Sequence, residues 1–453
     1  MMRRGIPFVM LLATAGSAAL AGQTAPQPRP MPAQSGAIVV TERPGSPDLA
    51  RFPRTDALFS DYIRTNKMPG IVGVIGQGDS PPAVIADGKL GDEPGAAMTD
   101  ANSLWRVYSM TKPITAMAAM ILIEEGKIKL DQPVSDFIPA FKYMKVQVSP
   151  DSLVALPATH AITIRQLLTH TAGLGYTIIT KGPLLKAYED AGITPFTADA
   201  KSEAQMRLKR PATLEAFANK VATLPLIAEP GTRWSYSIGL DVMGRVIEVA
   251  SKMPFDRFLE TRIFKPLKMN STYFTVPQSE VRRLATGYAI VGDNRVPLDP
   301  AATSVYLQKP SFPYGGAGLV MSAADYDRFL HMLQNGGTLD GKRILKPATV
   351  QLAMSNLLPL GVVYPGAVSA TGGTTTAQGF GAGGSVTLYD VPGGPAKGTY
   401  GWGGAAGTIA WVDPANKVRA TVMVNYLPSD KYPLRADATK AIYTDLAPVL
   451  TKR

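Results

Sequence analysis

Residues 111–125 are nearly all Ala, Met, Ile and Leu, and Gly126 follows as a stop. Read as a helix, this stretch has no polar face to turn toward water. Such a helix is stable only when other elements cover it on every side, which calls for a layered fold with this helix inside. The rest of the chain can supply those layers. Hydrophobic residues make up 45% and charged residues 18% of the 453 positions, the balance of a globular protein. That length suits two packed units or one large composite domain.

The signals on either side of this helix differ in kind. A helix is expected over 55–66, then strands over 71–75 and 83–86, separated by Gly78-Asp79-Ser80-Pro81-Pro82 and read as an antiparallel hairpin. The middle reads as mostly helical: Thr163 and Gln166 form a capping box before Leu167-Leu168, and Leu240, Met243 and Ile247 recur at helical spacing. Ser322 and Asp325 cap a helix running toward Leu333. From about Gly379 the pattern turns to strands. Residues 407–412 and 418–426 flank a turn at Asp413-Pro414-Ala415-Asn416, and a last helix covers 434–450. Strands at both ends with helices between them imply an α/β (α+β) fold, with one antiparallel sheet built from both termini, helices flanking it, and an inserted helical lobe. The sheet domain would take 51–128 and 310–453, and the lobe 129–309. There is no internal repeat.

Residues 1–21 read as a secretory signal, with Arg3 and Arg4 at the start, an apolar run from residue 6, and Ala19-Leu20-Ala21 as a small-x-small cleavage site. Residues 22–50, rich in Pro, Gln and Ala, read as a flexible linker. The mature protein is therefore expected in the periplasm or secreted, without stable membrane insertion. The chain has no cysteine, which removes disulfides, thiol catalysis and a lipid-carrying cysteine. Its three histidines, His160, His170 and His331, form no H-E-x-x-H, so neither a metal nor a cofactor is expected. The net charge of +11 is scattered rather than gathered into a run, which argues against a nucleic-acid partner.

No serine lies in the G-x-S-x-G pattern of a nucleophile elbow. Ser109-Met110-Thr111-Lys112, at the mouth of the apolar helix, is the only S-x-x-K in the chain. Three residues apart on a helix, hydroxyl and ammonium share a face, where the lysine can help remove or hold the serine's proton. The helix amino terminus adds N–H groups and partial positive charge for a nascent oxyanion. A capping serine followed by a surface lysine would give the same tetrad. Trp234-Ser235-Tyr236-Ser237 follows Pro230-Gly231 and puts a tyrosine on a loop. Beside an ammonium, such a phenol ionises more readily than its ordinary pKa of about 10 allows, although an ordinary loop aromatic accounts for it equally. In Tyr400-Gly401-Trp402-Gly403-Gly404-Ala405-Ala406-Gly407, leading into a strand, the glycines serve either a tight turn or a close backbone approach to a ligand.

In this order the three motifs resemble the serine β-lactamase and penicillin-binding superfamily, and most nearly its esterase branch related to class C β-lactamases, the family VIII carboxylesterases. Ile162-Thr163-Ile164-Arg165-Gln166-Leu167-Leu168-Thr169-His170-Thr171-Ala172-Gly173-Leu174 is similar to a characteristic segment of that family, as are Gly315-Gly316-Ala317-Gly318-Leu319 and Trp411-Val412-Asp413-Pro414. The likeness runs from Phe52 to the carboxyl end. It implies a β-lactamase/transpeptidase-like fold and cleavage of carboxylic esters through an acyl-Ser109 intermediate. Tyr236, kept basic by Lys112, would take the serine's proton, the N–H groups of Ser109 and Ala405 would hold the oxyanion, and His170 would be structural. Two departures bear on substrate. The β-lactamases' tyrosine-x-asparagine is here Tyr236-Ser237-Ile238, and their Lys-Thr-Gly is Trp402-Gly403-Gly404. A desolvated carboxylate facing no cation is costly, so Ile238, Trp402, Gly403 and Gly404 are expected to bind a small neutral ester. Three matters stay open at this point: β-lactams or D-alanyl-D-alanine peptides as substrates, acyl transfer in place of hydrolysis, and a catalytically silent envelope-binding protein. Nothing in the sequence speaks to oligomeric state.

Overall fold

Residues 47–194, 198–365 and 378–450 are described by the computed structural model. The signal 1–21 and all of the expected linker but its last residues lie outside them. The linker was expected to reach residue 50; instead Pro47–Arg51 is a short helix, and Asp48 Oδ2 accepts the N–H of Val84 at 3.1 Å.

The strand signals at the two ends of the chain belong to one sheet. Its strands are β1 (Gly70–Gln77), β2 (Ala83–Gly88), β3 (Gln378–Phe380), β4 (Ser385–Thr387), β5 (Tyr400–Gly403), β6 (Ile409–Asp413) and β7 (Val418–Met423), in the spatial order β3-β4-β5-β6-β7-β1-β2. Every neighbouring pair is antiparallel. The junction of the two termini is β1 against β7, in register from Val72↔Met423 to Gln77↔Val418. Residues 129–309 give this sheet no strand among the described residues.

Alternation along β1 sorts its side chains between two cores. Ile71 and Ile75 join Phe59 and Tyr62 of helix α1 (Pro53–Arg64) and Leu434 and Ile442 of the last helix. Val72 and Val74 face the other way, into a core shared with helix α2 (Thr111–Glu124). The remaining long helices are α3 (Gly239–Ser251), α4 (Ala323–Gln334) and α5 (Leu434–Leu450). As its composition requires, α2 is buried at every position from Thr111 to Leu122. The chain ends are tied directly: Asp445 of α5 accepts the N–H groups of Arg54 and Thr55 and the Thr55 hydroxyl.

Local capping signals are met as written. Thr163 and Gln166 form the capping box of Ile164–Leu168, and Ser322 Oγ accepts from Asp325 N at 3.1 Å to open α4. The middle of the chain is less helical than its pattern suggests, because Gly287–Val291 and Asn294–Asp299 form a hairpin and Lys145–Gln147 pairs with Ala155–Pro157. Among the described residues no helix is long and apolar enough to cross a membrane.

A buried ion pair aims the segment that enters α2. The strand Leu104–Arg106 pairs with Val320–Ser322, and Arg106 Nε donates to Asp299 Oδ2 at 2.6 Å with both side chains buried. Asp299 also takes the Ser304 hydroxyl at 2.7 Å and Val305 N at 3.0 Å. The fan of bonds on one carboxylate offsets the cost of taking both charges out of water.

Candidate active site

Beyond Arg106 the backbone makes a 3-10 turn, Tyr108–Met110, that runs straight into α2. Tyr108 sits at φ +42°, a left-handed value that costs a residue with a side chain about 1–3 kcal/mol. Burial of its ring, edge-on to Tyr306 at 6.5 Å, holds it there. Ser109 follows at the helix mouth, half-buried. One turn on, Lys112 is fully buried, and its Nζ donates to Ser109 Oγ at 3.2 Å and to the Gly316 carbonyl at 2.7 Å.

No carboxylate lies within ion-pair distance of Lys112 among the described residues, yet an uncompensated buried ammonium is expensive. Three features compensate. The Gly316 carbonyl accepts from it, the rings of Tyr236 and Tyr176 lie 4.6 and 5.5 Å from Nζ, and a second buried charge stands behind Gly316. Asp241, on α3, accepts the Gly316 N–H through Oδ1 at 2.9 Å. One peptide unit thus turns its carbonyl to the ammonium and its N–H to the carboxylate. Burial raises the Asp241 pKa from its ordinary 3.8 to about 6, against the pull of the Lys112 charge and the Gly316 hydrogen bond.

Tyr236 arrives from the loop 230–238 ahead of α3, with Oη 2.6 Å from Ser109 Oγ. His170 holds that loop on both sides of the tyrosine. Its carbonyl accepts Ser235 N at 2.9 Å, its Nδ1 accepts Ser237 N at 3.1 Å, and the Ser237 hydroxyl is 2.9 Å from Nδ1. Burial, and then the Lys112 charge, keep the imidazole pKa well below 6.5, so the ring stays a neutral acceptor.

The glycine-rich motif is not only a turn: Tyr400–Gly403 is itself β5, between β4 and β6. Trp402 faces Tyr236, with ring centroids 5.8 Å apart and Nε1 at a long 3.5 Å from Oη. Phe380 stands edge-on to Trp402 at 5.2 Å, and Trp234 and Tyr364 extend the aromatic wall. Only glycine fits at 404, where a Cβ would come within 2.4 Å of the Val107 carbonyl. That close approach lays the end of β5 against the residues leading to Ser109. Ala405, exposed on the turn beyond, has no acceptor for its N–H among the described residues.

Two expectations need correction. Ile238 is buried in the core at the start of α3, so it offers no surface to a substrate. The strand carries no cation in place of the lysine of Lys-Thr-Gly, but the site is not without one nearby. The Arg435 guanidinium, from α5, stands where a Gly403 side chain would, with Cζ 2.9 Å from the would-be Cβ, and its Nη2 donates to the Gly404 carbonyl. Arg435, Asp241, Gly316, Tyr176 and Phe380 were not singled out for the site from sequence. Asp241 left no signal of its role, because on α3 it falls at i, i+4, i+7 with Arg245 and Glu248, the polar stripe of the helix.

The geometry therefore gathers an ammonium and a phenol on one serine hydroxyl, with an aromatic wall beside them. The family description Beta-lactamase matches residues 55–444. The chain belongs to the beta-lactamase family. It is a serine hydrolase of that family, with chemistry of the acyl-transfer type. Esterase EstB of Burkholderia gladioli is 28% identical over 392 residues, covering 82% of this chain and 90% of the esterase. A lovastatin esterase of Penicillium rubens is 30% identical over 334 residues, covering 68% and 76% respectively. Among solved structures, EstCE1, described as a hydrolase with promiscuous acyltransferase activity, superposes with a TM-score of 0.70 at 25% identity, over 87% of this chain and 99% of that one. Among the described residues no cluster of His, Asp or Glu is arranged to hold a metal ion.

Proposed function

We propose that this beta-lactamase-family protein is a carboxylesterase acting on small esters uncharged next to the scissile bond, with Ser109 as nucleophile. The observation that carries the reading is the convergence of Tyr236 Oη and Lys112 Nζ on Ser109 Oγ at 2.6 and 3.2 Å. Ser109 Oγ adds to the ester carbonyl as its proton passes to the Tyr236 phenolate, and the buried ammonium offsets the phenolate charge. The N–H groups of Ser109 and Ala405 hold the oxyanion. Collapse expels the alcohol, which takes the proton back from Tyr236 and leaves acyl-Ser109. Water then adds to the acyl carbon and gives a proton to Tyr236. The second collapse returns that proton to Ser109 and releases the acid.

The wall of Trp402, Phe380 and Tyr364 supports an apolar acyl or alcohol group, and the names of the two esterase relatives point the same way. A second reading, β-lactam hydrolysis, draws on Arg435, whose guanidinium lies beside the end of β5 where a drug carboxylate would come. Measuring kcat/KM for a short acyl ester and for a chromogenic cephalosporin separates the two. The ester is expected to lead by about tenfold or more; a lead for the cephalosporin would reverse the assignment.

A further inference from the structure

One part of the surface is unusually apolar, and it adjoins the cleft. The hairpin formed by Lys145–Gln147 and Ala155–Pro157 exposes Val148, Leu153, Val154 (64%) and Leu156 (63%), and the turn before it exposes Tyr143 (78%). These side chains cover both faces of the hairpin, since alternation sets Val148, Val154 and Leu156 on one face and Leu153 on the other. Tyr143 and Leu153 line one shallow cavity, and Val148 N donates to Val154 O at 3.0 Å. On its other side the hairpin meets Ile179, which with its neighbour Ile178 is also exposed. There Gln147 and Pro150 share a cavity of about 330 Å³ with Ile179 and with Trp234 and Ser235, the two residues that precede Tyr236. Soluble proteins rarely leave so many large apolar side chains together in water without a partner for them.

The charge around the patch selects among partners. Lys142, Lys145 and Lys181 surround it, all exposed and none in an ion pair among the described residues, and Arg233 lines the cavity beside Lys181. Asp151, at the hairpin tip, is the one carboxylate on residues 143–157. Apolar side chains ringed by long cations fit an interface whose interior is hydrocarbon and whose surface is negative, because the lysine stems lie along the apolar layer while their ammonium groups reach the headgroups. A second copy of this chain would bring the same cations against themselves.

We infer that the hairpin 143–157 and the loop at Ile178–Lys181 form a docking surface for an anionic lipid bilayer, which sets the mouth of the cleft against the membrane. The inference does not depend on which ester the enzyme cleaves, and the binding test needs no turnover.

The test is co-sedimentation of the full-length mature protein with vesicles of phosphatidylglycerol and phosphatidylethanolamine, beside vesicles of phosphatidylcholine alone. Binding to the anionic vesicles alone, weakened by salt, is expected. Val154→Glu with Leu156→Glu should abolish it. Lys142→Gln, Lys145→Gln and Lys181→Gln together should weaken it by about a hundredfold, each cation accounting for about fivefold. Thermal melts check that both variants fold, which their surface positions favour. Absence of binding by the wild type, or binding that survives either set of changes, overturns the inference. So does a wild-type dimer in sedimentation that Val154→Glu splits while no vesicle is bound, since the patch would then be an interface between copies.

Discussion

Asp241 is a carboxylate whose burial works against its charge. Its pKa in the fold, about 6, stands above the ordinary 3.8, so between about pH 4 and 6 the folded protein binds more protons than the unfolded chain. Stability therefore falls as pH rises through that window, by up to about 3 kcal/mol once the group is fully ionised. Asp241→Asn keeps an oxygen for the Gly316 N–H and removes the charge. Its melting temperature should exceed that of the wild type at pH 7 to 8, and the difference should shrink toward zero near pH 4; a difference independent of pH would contradict the account. Its place on the stripe of Arg245 and Glu248 gives no warning of that burial in the sequence. Ser109, Lys112 and Tyr236 each sit in a short local pattern, and the fold brings their polar atoms together. Phe380 reaches the site only through the fold, with no spacing to announce it, and Gly316 stands in a segment similar to the family's that by itself assigns it no role. Ile238 occupies a motif position that reads as surface, whereas the residue begins a helix and turns inward.

At the scale of elements, the delivery of Ser109 rests on the Arg106–Asp299 pair. Asp299→Ala would leave the Arg106 guanidinium buried without its partner and also strip the Ser304 hydroxyl and Val305 N–H of their acceptor. A loss of about 3–5 kcal/mol is expected, measurable as a lowered midpoint in urea unfolding; a midpoint within error of the wild type would mean that the pair is not what aims this segment. Elements carried by long apolar runs, such as α2 and the hairpin of β6 and β7, are legible in the sequence. The strand β5 is not, because two of its four residues are glycine, which strand propensity disfavours. The structural reason is local: a Cβ at Gly401 would fall 2.8 Å from that of Trp411 on β6, so close pairing outweighs propensity. The hairpin at 287–299 carried its turn residues, Gly292-Asp293, in plain view, but lay in a stretch whose neighbours read as helical.

For the whole molecule, a sheet closed by both chain ends explains why α1 and α5 share a core although they lie at opposite ends of the sequence. The described fold begins with the helix at Pro47, and the signal proposed over 1–21 precedes it. Expression in a host that secretes proteins should yield an intact mass beginning at Gly22; a cytoplasmic product retaining Met1 or Met2 would count against export. The central claim, that the enzyme works through an acyl group on Ser109, is tested most directly by mass spectrometry of the protein quenched moments after mixing with a slowly hydrolysed ester. One added acyl mass is predicted, mapping to the peptide that contains Ser109, and Ser109→Ala should lose both the adduct and about a thousandfold or more of turnover while melting as the wild type does. An adduct on another residue, or turnover that persists in folded Ser109→Ala, would contradict it.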